Sequence, residues 1–217
     1  MRCLTLAEGG TSPLKILCLG AHSDDIEIGC GGTILSLAQR YPACLFQWVV
    51  FSAVGVRATE AQRGALLFAG ENIVSKPLLK TFKDGFMPFA GYEVKAVFEE
   101  LKGNFSPDLI FSHNRRDAHQ DHRLLAELTW NTFRDHLILE YEIPKYDGDL
   151  GQPTVFVPLD PEVCERKVCY LLDIFHSQHS KRWFQRDTFL SLMRLRGMEC
   201  NAPSGYAEAF YCRKIVL

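Results

Sequence analysis

Leu14-Lys15-Ile16-Leu17-Cys18-Leu19-Gly20-Ala21-His22-Ser23-Asp24-Asp25 is the stretch that decides the fold. Leu14 to Leu19 is an apolar run of strand length, and it breaks at Gly20 into a polar cluster. Gly29-Cys30-Gly31-Gly32 follows, and Thr33 to Arg40 continues as a helix. A buried strand that ends in ligand-type side chains and passes into a helix is the start of a βαβ unit.

The same alternation recurs downstream. Cys44 to Phe51 is a second strand, Thr59 to Phe68 a helix ended by Gly70, and Leu78 to Phe82 a short strand leading into Lys83-Asp84-Gly85. Tyr92 to Lys102 is a helix, Leu109 to Ser112 a strand, and Asp121 to His136 a helix. Strands at Leu137 to Ile143 and Thr154 to Val157, helices at Glu162 to Phe175 and Gln178 to Arg196, and a closing strand at Ala207 to Val216 complete the pattern. This predicts an α/β fold, a Rossmann-like three-layer sandwich with a mostly parallel sheet, and one domain over residues 1–217.

A second polar cluster, His113-Asn114-Arg115-Arg116-Asp117-Ala118-His119-Gln120-Asp121-His122, follows the strand at Leu109 to Ser112, about ninety residues after the first. If the two strands are parallel neighbours, both clusters hang from the edge where open α/β sheets bind ligands. Histidine nitrogen and carboxylate oxygen are donors that zinc accepts. His22 and Asp25 lie three apart across a tight turn and can reach one ion. Adjacent carboxylates on an extended backbone point apart, which leaves Asp24 free as a base. The dipole of the helix starting near Gly31 favours anions close by. Of His119 and His122, one suits a ligand and the other a free histidine, with carboxylates orienting the rings. Two histidines and one aspartate leave coordination positions open, as in a catalytic site, and the same trio would also hold ferrous iron.

Composition narrows the alternatives. A net charge of −2 and the lack of a basic stripe argue against a nucleic-acid partner. Met1 to Ser12 has no signal-peptide core, and no apolar run approaches a membrane span. The eight cysteines, Cys3 among them, form no C-x-x-C pair and read as reduced, mostly buried thiols of a cytoplasmic protein. Gly29-x-Gly31-Gly32 lacks a third spaced glycine and has acids where a pyrophosphate would lie, so it is not read as a dinucleotide fingerprint. His136, His176 and His179 read as structural, and Trp183, Phe184, Tyr206 and Phe210 as core. Ser177-Gln178 and Glu208 read equally well as caps of the C-terminal helices. Lys145, Tyr146, Asp147 and Asp149 suit either hydroxyl recognition or a solvated turn.

Ala-His-Ser-Asp-Asp after a strand, with His113-x-x-x-Asp117-x-His119-x-Asp121-His122 downstream, resembles the PIG-L/LmbE-like de-N-acetylase family. Arg57-x-x-Glu60, Asp84-Gly85, Ser177-Gln178 and Tyr206-Ala-Glu-Ala-Phe210 fall in the family's order. Ser23 and Gln120 stand where many members have proline. The resemblance implies hydrolysis of the N-acetyl group of an N-acetylglucosamine-type sugar with one divalent ion per chain, zinc foremost, with ferrous iron or another divalent metal as alternatives. It makes His22, Asp25 and His122 the metal ligands and Asp24 the general base. His119 becomes the stabiliser of the oxyanion, Asp121 its orienting partner, and Arg57 and Asp84 contacts to sugar hydroxyls. It further implies a small-molecule amino-sugar partner and allows a homo-oligomer. Rival readings are an amidase on a related sugar or thiol conjugate and a metal-binding relative without turnover.

Overall fold

The computed structural model describes residues 13–216; the expectations for Met1 to Ser12 and Cys3 lie outside the described residues. Strand β1 (Lys15–His22) enters helix α1 (Asp25–Arg40) through a turn of two residues. Then come β2 (Leu45–Ser52), α2 (Val56–Ala69), β3 (Leu78–Leu79), α3 (Gly91–Asn104), β4 (Leu109–His113), α4 (Gln120–Thr132) and β5 (Leu137–Tyr141). The last third is β6 (Val155–Pro158), α5 (Pro161–Ile174), α6 (Arg186–Glu199) and β7 (Ala207–Cys212).

All seven strands join one sheet in the order β3-β2-β1-β4-β5-β7-β6. The pairings from β3 to β5 are parallel, and β7 runs antiparallel between β5 and β6. Alternation along the strands divides the core. Ile16, Cys18, Phe46, Trp48, Leu109 and Phe111 face the layer of α1, α2, α5 and α6. Leu17, Leu19, Val49, Phe51 and Ile110 face α3 and α4. Helices thus cover both faces of a mixed sheet, the three-layer arrangement expected of βαβ units. From β1 the chain builds outward to β2 and β3, then crosses back to β4 and β5. The β1/β4 seam is therefore the topological switch point, where such sheets open a crevice beyond the strand carboxyl ends.

Helix α1 begins at Asp25 rather than near Gly31 or Thr33, so its dipole end lies at the carboxylates themselves. It is broken at Cys30 (φ −141°, ψ 16°). The glycines around the break serve packing. A Cβ on Gly29 would enter the Tyr141 ring, and one on Gly32 would come within 2.6 Å of Leu159 Cδ1 and 3.0 Å of Glu208 Oε1. The helix expected at Gln178 to Arg196 starts only at Arg186, preceded by a short 3-10 turn (His176–Gln178) and irregular chain. α4 stops at Thr132, short of His136, and β7 stops at Cys212, short of Val216.

Candidate metal centre and active site

The β1/β4 seam assembles the centre because both strands end in ligand-type residues on the same edge. His22 closes β1, and the turn that follows delivers Asp24 and Asp25. His113 closes β4, and the loop and first turn of α4 deliver Asp117, His119, Asp121 and His122. His22 Nδ1 lies 3.1 Å from His122 Nε2 and 3.4 Å from Asp25 Oδ2, and the latter two are 3.5 Å apart. Bonds of about 2.0–2.1 Å in tetrahedral coordination put neighbouring donors about 3.3–3.4 Å apart. The three atoms therefore fit three corners around one zinc-sized ion.

Each imidazole of this set has its other nitrogen fixed by a carboxylate, as metal-ligating histidines usually do. His122 Nδ1 is 3.0 Å from Asp117 Oδ2. His22 Nε2 is 3.0 Å from Asp84 Oδ1 and 3.3 Å from Asp121 Oδ2. Burial opposes charging His22, but the Asp25, Asp121 and Asp84 carboxylates outweigh it and hold its pKa well above the usual value. Burial, with the neighbouring His113, lowers His122 to about 4. Burial opposes ionising Asp25, and the three surrounding histidines His122, His113 and His22 reverse that, keeping it a carboxylate.

Asp24 is buried beside this set, and burial together with the Asp25 charge pushes its carboxyl up to about 6. His119 caps α4: its Nδ1 accepts the backbone N–H of Asp121 at 3.3 Å. A neutral His119 therefore carries its proton on Nε2. Burial and the nearby His22 lower its pKa.

Two placements differ from the sequence reading. The Asp121 carboxylate makes no hydrogen bond to the His119 ring, although the two lie close enough to share an ion with His22 and Asp84. It accepts the N–H groups of Gly85 (2.7 Å) and Met87 (3.1 Å) and faces His22. The reason is that Asp121 lies in the first turn of α4 with its carboxylate turned toward the Gly85–Met87 segment, and it is its backbone N–H that hydrogen-bonds His119. Asp117 takes the supporting part on this side, accepting the backbone N–H of His119 at 2.8 Å as well as holding the His122 ring. Arg57 and Asp84 pair with each other at 2.8 Å at the mouth, with Asp84 about half exposed.

His113 accepts the Ala21 N–H on Nε2 at 2.9 Å and stacks on His122 at 3.9 Å between ring centroids. With that lone pair engaged, it is a weaker ligand candidate than His122, although Asp25, His113 and His122 also converge closely enough to hold an ion. Lys145, read as substrate-facing or solvated, is instead nearly buried. Its ammonium bridges Asp117 Oδ2 (3.0 Å) and Asp149 Oδ2 (2.5 Å). No spacing in the sequence carries that signal.

With this geometry in view, the comparisons decide the family. The model of the PIG-L family, GlcNAc-PI de-N-acetylase, matches residues 17–133, more than half of the chain. The chain belongs to the PIG-L family. That membership makes it an N-deacetylase-type hydrolase. It is also similar to N,N'-diacetylchitobiose deacetylase from Pyrococcus horikoshii, at 18% identity and TM-score 0.68 over 92% of this chain and 83% of that one. A zinc-inhibited form of teicoplanin deacetylase aligns at 12% identity and TM-score 0.69, over 91% and 97%. The 4-carboxy-2-hydroxymuconate hydratase from Pseudomonas putida aligns at 16% and 0.67, over 94% and 98%. At these identities the likenesses establish the fold, and the hydratase among them shows that the fold alone does not fix the reaction. Among the described residues no helix is long and apolar enough to cross a membrane.

Proposed function

We propose that this PIG-L family member is a divalent-metal-dependent hydrolase that removes the N-acetyl group from an N-acetylglucosamine-type sugar or glycoconjugate, with residues 1–217 acting as one domain. The observation that carries this reading is the His22–His122–Asp25 donor triangle, with both rings held by carboxylates and Asp24 left beside it. His22, Asp25 and His122 would hold the ion, zinc being the first candidate and ferrous iron the second. When bound, the ion supplies Lewis acidity toward water and the amide carbonyl.

The protein's own groups then divide the work. Asp24, ionised above about 6, takes a proton from the attacking water. The His119 Nε2–H donates to the oxygen of the tetrahedral centre, an effect often worth about 3–4 kcal/mol per donor. As the C–N bond breaks, the leaving nitrogen takes the proton that Asp24 removed from the water, while His119 keeps its own, and acetate and the free amine depart. Arg57 and Asp84 at the mouth are placed for sugar hydroxyls. The acceptor is chosen by the loop at 142–152 and the region 181–204, which contains α6; the two meet where the Arg182 N–H donates to Tyr146 Oη at 3.0 Å. The unpaired cysteines among the described residues suit a cytoplasmic location.

Proton NMR of acetate release tests the reading, using zinc-loaded protein on N-acetylglucosamine glycosides, nucleotide sugars and simple amides. Release that stops with a chelator and in Asp24→Asn is the expected outcome. Release of a larger acyl acid instead would establish the amidase alternative. Metal-loaded protein that hydrolyses nothing on the panel would make it a silent relative.

A further inference from the structure

The break in α1 is filled by two charged side chains from distant elements. An unbroken helix would bond the Gly32 N–H to the Ile28 carbonyl. Here Gly32 N–H donates to Glu208 Oε1 at 2.8 Å, that oxygen lies 2.5 Å from Lys167 Nζ, and Lys167 donates to the Ile28 carbonyl at 2.6 Å. A lysine–glutamate pair is thus inserted into a single helical hydrogen bond. Glu208 Oε2 also accepts from the Thr33 N–H (2.7 Å) and hydroxyl (2.6 Å), capping the second half of the helix. Lys167 and Glu208 are buried, on α5 and β7. Ile28 in turn donates its N–H to the Asp24 carbonyl at 3.0 Å. Lys167 therefore grips the residue that closes the turn carrying Asp24 and Asp25.

We infer that Lys167 and Glu208 are positioning residues for the metal centre: they hold the first turn of α1 at the angle that sets Asp25 against His22 and His122 and Asp24 beside them. A side chain inserted in the helical ladder is a recognised cause of a kink, and here it fixes the direction of a very short segment. The inference rests on the metal assignment proposed above.

The test compares Glu208→Gln and Lys167→Met with the parent protein. Zinc affinity is measured by competition with a chromophoric chelator, at a temperature where circular dichroism shows each variant folded, and hydrolysis is followed on the best amide of the panel. The expected result is zinc binding weakened roughly ten- to hundred-fold, with kcat lowered and KM unchanged. Variants that melt earlier but keep parental zinc affinity and kcat would reduce the pair to a structural role and overturn the inference. A parent that hydrolyses no amide, with variants that still lose zinc affinity, would sink the deacetylase reading and leave the positioning role standing. Should Glu208→Gln fail to fold, Glu208→Asp, which keeps the charge and withdraws the carboxylate, is read by the same two outcomes.

Discussion

Two charged clusters flank α1, and they are built on opposite terms. At its N-terminal end His22, Asp25 and His122 crowd together with donor atoms turned toward one another, with Asp24 and His119 close by. At its break, Glu208 and Lys167 satisfy each other and three backbone groups at 2.5–2.8 Å. The first cluster has coordinating capacity to spare; the second is closed. A buried polar network that satisfies all its members rigidifies its surroundings, whereas one that gathers like groups needs a cation or a substrate to complete it. Closure of the second is what lets the first be held open.

Substitutions can break that contrast. Asp24→Asn should have the largest effect, lowering kcat by about 10²–10⁴ as the base is lost, while zinc affinity stays near parental in the chelator competition. Glu208→Ala leaves the Lys167 ammonium buried without its partner and should cost about 3–5 kcal/mol in urea unfolding. Asp117→Asn should weaken zinc binding about 10–100-fold by loosening the His122 ring, with smaller loss of stability. Arg57→Ala should change unfolding free energy by no more than about 1 kcal/mol, because its pair with Asp84 is exposed, and its effect should fall on KM. A large loss of stability in Asp24→Asn, or none in Glu208→Ala, would reverse the assignment of the two clusters.

The sequence carried the alternation of strands and helices well because buried parallel strands read as apolar runs. It also carried the meeting of His22, Asp25 and His122, since a parallel β1/β4 pairing brings any two strand-end clusters together. What it hid lies where distant side chains intrude. The first two turns of α1, Asp25 to Gly32, read as loop because Gly29, Gly31 and Gly32 weaken helical propensity. Those positions are small because Tyr141 presses on Gly29, Phe68 on Gly31, and Leu159 and Glu208 on Gly32. Glu208 reads as a cap of the C-terminal helices, yet it caps α1, its partner Gly32 lying 176 residues away in the chain.

Motif fragments that are separate in sequence prove to be contacts. Glu60 accepts from the Ser177 N–H (2.9 Å) and hydroxyl (2.6 Å), and Arg57 pairs with Asp84. Asp121 illustrates the opposite failure. Its spacing from His119 is right for an orienting partner, but the direction of its side chain is set by Gly85 and Met87, which no local pattern announces.

The measurement that bears most directly on the central claim is a zinc titration of chelator-stripped protein, with acetate release from the best amide followed by proton NMR. If His22, Asp25 and His122 hold one ion on which hydrolysis depends, release is absent at the start, rises in proportion to added zinc and levels off at one equivalent per chain. Hydrolysis that persists in the stripped protein, or that is indifferent to added divalent metal, would contradict it.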